Sequence, residues 1–128
     1  MSETHVQQRN KQIVSEVMAA VFVERQPQRV LHYFSDNYIQ HNPVIPDGKE
    51  AIPALIAGLP EGFGYEPGML VADGNLVMIH GRYTGWGPRP MVAVDIFRLE
   101  DGRLAEHWDV LQEEVPAAQT ASGNGMFA

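Results

Sequence analysis

Two hydrophobic periods divide the chain. From Thr4 to about Glu24, Val6, Ile13, Val14, Val17, Met18, Val21 and Phe22 recur near every 3.6 residues, with Gln, Arg and Lys between them. That spacing lines one face of a helix. Pro27 interrupts it, and Gln28–Phe34, with Val30, Leu31 and Phe34 on one side, predicts a short second helix. Tyr38-Ile39-Gln40-His41-Asn42-Pro43 predicts a short strand ending in a turn, because Pro43 disfavours a helical Asn42. Asp47-Gly48-Lys49-Glu50 predicts the opening of a third helix with Asp47 as N-cap. Ala51, Ile52, Leu55, Ile56 and Leu59 form its apolar face, and Gly58 and Pro60 end it. Pro53 falls in its first turns, where proline is tolerated.

Beyond Pro60 the period becomes two. Gly68–Ala72, Asn75–Thr84, Met91–Leu99 and Arg103–Gln112 read as strands. Asp73-Gly74 and Asp101-Gly102 are hairpin signals, and Gly85–Pro90 is a rigid loop. The tail from Pro116 to Gly125, rich in Ala, Ser, Gly and Pro, predicts a loosely ordered segment. Helices followed by hairpin-linked strands define an α+β fold with an antiparallel sheet, one face of which the helices must cover. The 128 residues fit a single domain, 1–128, with 116–128 as its extended tail.

Charge narrows the function. Sixteen acidic side chains against nine Lys and Arg give a net charge of −7. Nucleic acid and anionic membrane surfaces both require a basic footprint, so neither is an expected partner. With no cysteine, disulfides, thiolate metal sites and thiol nucleophiles are excluded. Met1-Ser2-Glu3-Thr4-His5 lacks the features of a signal peptide, no apolar run is long enough for a bilayer, and the cytoplasm is the expected location.

The last strand carries the most chemistry. In Arg103-Leu104-Ala105-Glu106-His107-Trp108-Asp109-Val110-Leu111, alternation puts His107 and Asp109 on one face with Ala105 and Leu111. Glu106, Trp108 and Val110 take the other. An imidazole and a carboxylate two residues apart can share a substrate, and a dry surrounding would raise the carboxylate toward general-base strength. The alternative is a solvated pair, against which Ala105 and Leu111 argue. Asp95 is an isolated acid in the apolar run Met91–Phe97, costly unless functional or paired, Arg82 and Arg98 being the candidate partners. His41, beside Asn42-Pro43, is a further catalytic candidate or a turn histidine. His80, Tyr38, Trp86 and Phe97 are candidate substrate contacts, Trp86 as a lid between glycines and His80 with a sheet-filling alternative. Trp108 suits the core or a subunit interface. No Walker loop, dinucleotide-binding glycine motif, Gly-x-Ser-x-Gly or His-Glu-x-x-His is present. His41, His107, Asp95 and Asp109 have metal-ligand chemistry but no standard spacing.

Several stretches resemble a bacterial branch of the SnoaL-like polyketide cyclases, within the nuclear transport factor 2-like superfamily. They are Tyr38–Pro43, Asp47-Gly48-Lys49-Glu50-Ala51, Val94–Arg98, Asp101–Val110 and Asn124-Gly125-Met126-Phe127. The resemblance implies a cone-shaped curved sheet packed by N-terminal helices around one pocket, commonly in a homodimer. It implies an aspartate near the end of the late strand, here Asp109, as acid/base in an aldol ring closure. Where Asp95 stands, the cyclases have a histidine.

Together these readings give a cofactor-free lyase or isomerase acting on a small carbonyl compound. Asp109 would take the α-proton, and His107 or His41 would hydrogen-bond the enolate. A protonated Asp95 would donate a second hydrogen bond. The competing readings are a non-catalytic small-hydrophobic-ligand or dimerisation module, and a metal site on the same side chains. Whether Met69, Met78 and Met91 fill the pocket is the structural question on which all three turn.

Overall fold

In the computed structural model, which describes residues 3–128, one curved five-stranded sheet is packed by helical segments from the first half of the chain. Met1 and Ser2, used above to read the N-terminus, lie outside the described residues. Helix α1 (Glu3–Met18) buries Ile13, Val14, Val17 and Met18, all 7% exposed or less, and packs mainly on the second and third strands. Its apolar stripe is the one the 3.6 period defined. The helix then widens into a π-helical turn, Ala19–Val23, closed by a hydrogen bond from the Glu24 N–H to the Ala19 carbonyl at 2.8 Å. Arg25, with φ +58°, breaks the helix in the left-handed region ahead of Pro27.

The segment Gln28–Phe34 departs from expectation. It forms two 3₁₀ turns, Pro27–Arg29 and Leu31–Tyr33, rather than a helix. So short a piece cannot offset the cost of helix nucleation, and Phe34 leaves it to begin a strand. That strand, β1 (Phe34–Gln40), starts well before the predicted Tyr38. Helix α2 is confined to Ala51–Ala57, burying Ile52 and Ile56. Asp47 does not cap it: its carboxylate instead accepts the Gln40 backbone N–H at 2.8 Å, tying the loop to β1. The carbonyls at the far end of α2 are met from outside. Arg25 donates to Ile56, Leu59 and Pro60 carbonyl oxygens at 2.9–3.2 Å, which clamps α2 to the end of the N-terminal helical segment.

Four strands follow as an antiparallel meander: β2 (Gly64–Asp73), β3 (Leu76–Thr84), β4 (Met91–Glu100) and β5 (Arg103–Glu113). The β2–β3 turn has Gly74 at φ +58°, and the β4–β5 turn places both Asp101 (+49°) and Gly102 (+77°) in the left-handed region, the requirement of a type I′ hairpin. β1 returns to pair in parallel with β5, giving the order β1-β5-β4-β3-β2. Bulges bend the sheet. In β5, Leu104 pairs with Leu99 and Glu106 with Arg98, leaving Ala105 as the extra residue. Simple alternation would send Leu104 outward, yet the bulge turns it into the core, where it is fully buried.

The tail also departs from expectation. The end of the tail, Met126 and Phe127, lies against the outer face of the sheet. Met126 Sδ accepts the Val115 N–H at 3.1 Å, and the Phe127 ring sits 5.4 Å from the His80 ring. A Cβ at Gly68 would stand 2.8 Å from Phe127, so the glycine permits the contact. Met126 and Phe127, at the end of an otherwise small and polar stretch, supply the apolar anchor that its composition conceals. Among the described residues no helix is long and apolar enough to cross a membrane.

Candidate functional site

The inner face of the sheet and the helical segments enclose one hollow. Val17, Met18, Val21 and Phe22 line it from the N-terminal helical segment, Ile52 and Leu55 from α2, and Ile45 and Trp86 from loops. It spans about 540 Å³ between atoms, open solvent at its mouth included, of which about 40 Å³ admits the centre of a water molecule. It is therefore narrow but not filled. Met69, Met78 and Met91 are not among its lining residues, and Met69 is 63% exposed.

Strand register sets the polar end. Asp95 and Asp109 are direct cross-strand partners in β4 and β5. Phe97 pairs with His107, and Gln40 of β1 pairs with His107 from the other side. Alternation then turns Asp95, Phe97, His107, Asp109 and Leu111 to one face. Tyr38, Gln40 and Asn42 alternate in the same way and join them, as does Tyr83 of β3.

Hydrogen bonds fix the proton positions. The Gln40 side-chain Oε1 accepts the Asn42 backbone N–H at 3.0 Å, so it also acts as acceptor toward His107 Nδ1 at 2.6 Å. Nδ1 therefore carries a proton. Nε2 meets Asp95 Oδ1 at 2.8 Å, and Tyr83 donates to the other Asp95 oxygen at 2.8 Å. The pair is deeply buried, with 7% and 4% of the two side chains exposed.

Asp109 is held differently. Asn42 Oδ1 accepts the Val44 N–H at 2.9 Å, which leaves Asn42 Nδ2 to reach both Asp109 oxygens, at 3.0 and 2.8 Å. His107 Nε2 is 3.9 Å away. Burial pushes the Asp109 carboxyl above the usual carboxylate range. The Asn42 hydrogen bond and the His107 charge oppose that rise, and the nearby Asp95 charge adds to it. The Tyr38 and Tyr83 phenols are pushed well above their ordinary value by burial first and the Asp95 charge second, so both stay neutral.

The structure thus gathers Asp95, His107, Asp109, Tyr38, Phe97 and Trp86 around one hollow. It does not bring His41 or His80 there. His41 points outward, stacks on Trp108 (5.0 Å, 2° between rings) and meets Glu106 at 2.6 Å. Its parity along β1 is opposite to that of Gln40 and Asn42. Trp108, half-buried on the outer face, is not core. His80 faces the tail on the outer side. The expected Asp95 partners are also elsewhere: Arg82 pairs with Glu114 and Glu66, and Arg98 with Glu106 and Glu100. With both oxygens taken, Asp95 faces His107 rather than offering a free hydrogen bond to the hollow. Gln40, Asn42 and Tyr83 were missed by sequence reasoning. For the first two the signal was present, because they share the parity of the buried Tyr38. Asp95, His107 and Asp109 have potential ligand atoms within 4.8 Å of one another, the arrangement a metal ion would need, without His41.

A curved sheet closed by N-terminal helices over a single acid-lined hollow defines an α+β small-molecule pocket fold. Residues 14–107 match the model of the SnoaL-like domain, and the chain belongs to that family. Comparison with curated proteins gives no match. Among solved structures, one described provisionally as a ketosteroid isomerase from Kribbella flavida superposes with a TM-score of 0.71 at 14% identity, over 84% of this chain and 80% of that one. One described provisionally as a polyketide cyclase from Acidithiobacillus ferrooxidans gives 0.68 at 21% identity, over 81% and 88%. An LEH-like epoxide hydrolase from M. tuberculosis gives 0.63 at 18%, over 83% and 84%. At these identities the likeness is one of fold.

Proposed function

We propose that the hollow carries out cofactor-free proton transfer on a small carbonyl compound, as a lyase or isomerase of the cyclase kind, with Asp109 as general base. One observation carries the reading: Asp109 is a desolvated carboxylate, held among the described residues only through Asn42 and the more distant His107, at the wall of an apolar cavity. Burial strengthens it as a base while Asn42 keeps it oriented. An Asp109 oxygen takes the proton α to the carbonyl, and negative charge develops on the carbonyl oxygen. His107, anchored by Gln40 and Asp95 and 3.9 Å from Asp109, turns the polar edge of its ring toward that enolate. Asp95 acts as a positioning residue. The proton on Asp109 then returns to a different carbon of a conjugated enolate, or the α-carbon attacks a second carbonyl of the same molecule and the alkoxide so formed takes the proton from Asp109. The ketosteroid isomerase and polyketide cyclase descriptions of two fold relatives accord with carbonyl substrates.

The test is exchange of the methyl hydrogens of acetophenone for deuterium in D₂O, followed by NMR. Asp109→Asn should lower the exchange rate by ~10²-fold or more with the fold intact. Equal rates in the variant would remove the mechanism.

A second reading, ligand binding without catalysis, draws on the mutual satisfaction of Gln40, His107, Asp95 and Tyr83, which suits a rigid receptor. Saturable acetophenone binding without exchange at any pH would select it. Pairing of two copies through the outer sheet face is part of the proposal. Val110 (68% exposed) and Met78 (37%) form an apolar surface there, and a self-complementary patch is what a two-fold dimer uses. Light scattering of the wild type against Val110→Glu tests it.

A further inference from the structure

The polar end of the hollow has the donor set of a metal centre. We infer that His107 Nε2, Asp95 Oδ1 and Asp109 Oδ2 form a three-ligand site for a divalent ion of the zinc type, which withdraws Asp109 from proton transfer when it binds. The inhibition rests on the reading above, whereas the binding stands without it.

The first argument is spacing. Nε2 lies 2.8 Å from Asp95 Oδ1 and 3.9 Å from Asp109 Oδ2, and one ligand atom from each of the three side chains falls within 4.8 Å of the others. A tetrahedral zinc ion holds neighbouring nitrogen and oxygen ligands about 3.3 Å apart. That value lies between the two histidine–carboxylate separations, so side-chain rotations of about an ångström bring the ligands to it. Three protein ligands leave a fourth position, facing the hollow, through whose mouth an ion can enter.

The second argument comes from groups outside the cluster. A metal-bound imidazole needs its other nitrogen protonated and donating to a fixed acceptor. Gln40 Oε1 is that acceptor for Nδ1 at 2.6 Å, and the Asn42 backbone N–H fixes the amide in turn. Tyr83 holds the Asp95 oxygen that would not ligate, and Asn42 Nδ2 steadies Asp109. The outer partners that orient metal ligands are therefore in place, and the fixed Nδ1 proton turns Nε2 toward the ion.

The third argument is charge. Asp95 and Asp109 are direct cross-strand partners, where two carboxylates repel. Among the described residues no Lys or Arg lines the hollow. Arg82 and Arg98 pair with outer-face acids, and Arg25 holds the α2 carbonyls. A divalent cation supplies the positive charge that no side chain brings. The imidazole ligand selects the zinc type over calcium and magnesium, which prefer oxygen throughout.

The experiment uses the full chain, treated with EDTA and titrated at pH 7 with CoCl₂, followed by the visible d–d bands of four-coordinate cobalt, and with ZnCl₂ by calorimetry. One ion per chain should bind saturably. Gln40→Leu should weaken cobalt binding ~10- to 100-fold, the loss expected of an outer partner, and Asp109→Asn by at least as much. His41→Ala and His80→Ala should bind as wild type does. Absence of the bands, or full affinity in Asp109→Asn, overturns the site, and full affinity in Gln40→Leu overturns the positioning of His107. Saturating Zn²⁺ should slow methyl exchange of acetophenone by ~10²-fold, the loss expected of a removed general base. Exchange unchanged or faster with Zn²⁺ bound overturns the inhibition. The two levels separate cleanly. Cobalt binding to a chain that shows no exchange when metal-free sinks the proton-transfer reading and leaves the metal site standing, while exchange without cobalt binding does the reverse.

Discussion

Strand β5 carries a histidine–carboxylate contact on each of its faces. Inside, His107 meets Asp95 at 2.8 Å with 7% and 4% of the side chains exposed. Outside, His41, just past the end of β1, meets Glu106 at 2.6 Å with 42% and 18% exposed. The distances are alike, but the surroundings are not. In the outer pair Glu106 is shared with Arg98, and His41 stacks on Trp108 with much of its ring in solvent. Screening there leaves little net interaction. The inner pair has Tyr83 and Gln40 as its further partners and an apolar wall in place of solvent. Similar chemical groups become either surface decoration or a site according to which face of one strand they occupy.

The largest contrast should appear in stability. Asp95→Ala strands His107 and Tyr83 in the core and should cost about 3 kcal/mol or more in urea unfolding. Glu106→Ala should leave the midpoint almost unmoved. Comparable losses would erase the distinction between the faces. Next in size is the pH dependence of Asp109. Its folded-state affinity for a proton is raised by burial, so between the unfolded value and the folded one the native state binds more protons, and stability falls as pH rises through that window. Asp109→Asn should therefore melt higher than wild type at pH 7, and the gap should close below about pH 4, where an ordinary Asp is also protonated. A gap that widens on acidification would reverse the sign assigned to burial.

Asn42→Ala tests how the inner acid is tuned. Loss of two N–H contacts should move the acidic limb of the exchange–pH profile to higher pH, and an unchanged limb would mean the amide only fills space. The smallest effect is expected from His41→Ala, with exchange rates within about twofold of wild type. A tenfold loss would bring the outer histidine back into the chemistry.

Much of this contrast was written in the alternation of β5. His107 and Asp109 share a parity and Glu106 and Trp108 take the other, so the two faces follow once the strand is recognised. Parity also excluded Arg98 as an Asp95 partner, since the two lie three residues apart on β4. The same rule applied to Tyr38–Asn42 separates His41 from Gln40 and Asn42. Choosing His41 followed residue type over position. What could not be read locally is the burial of Leu104, which depends on the Ala105 bulge, and the docking of Phe127, which depends on Gly68 and His80 far along the chain. The parallel pairing of β1 with β5 has no local signature either, because no short turn joins the two strands.

That pairing orders the assembly of the molecule in time. Strands β2 to β5 are joined by short connections and can zip together from nearby contacts. Gln40 reaches His107, and Asn42 reaches Asp109, only across a separation of 67 residues. Closing that span demands the greatest sacrifice of chain freedom and so belongs late in folding. A newly made chain would hold its meander first with the acid at 109 still unsteadied, and would become chemically competent only when the first strand docks along the last.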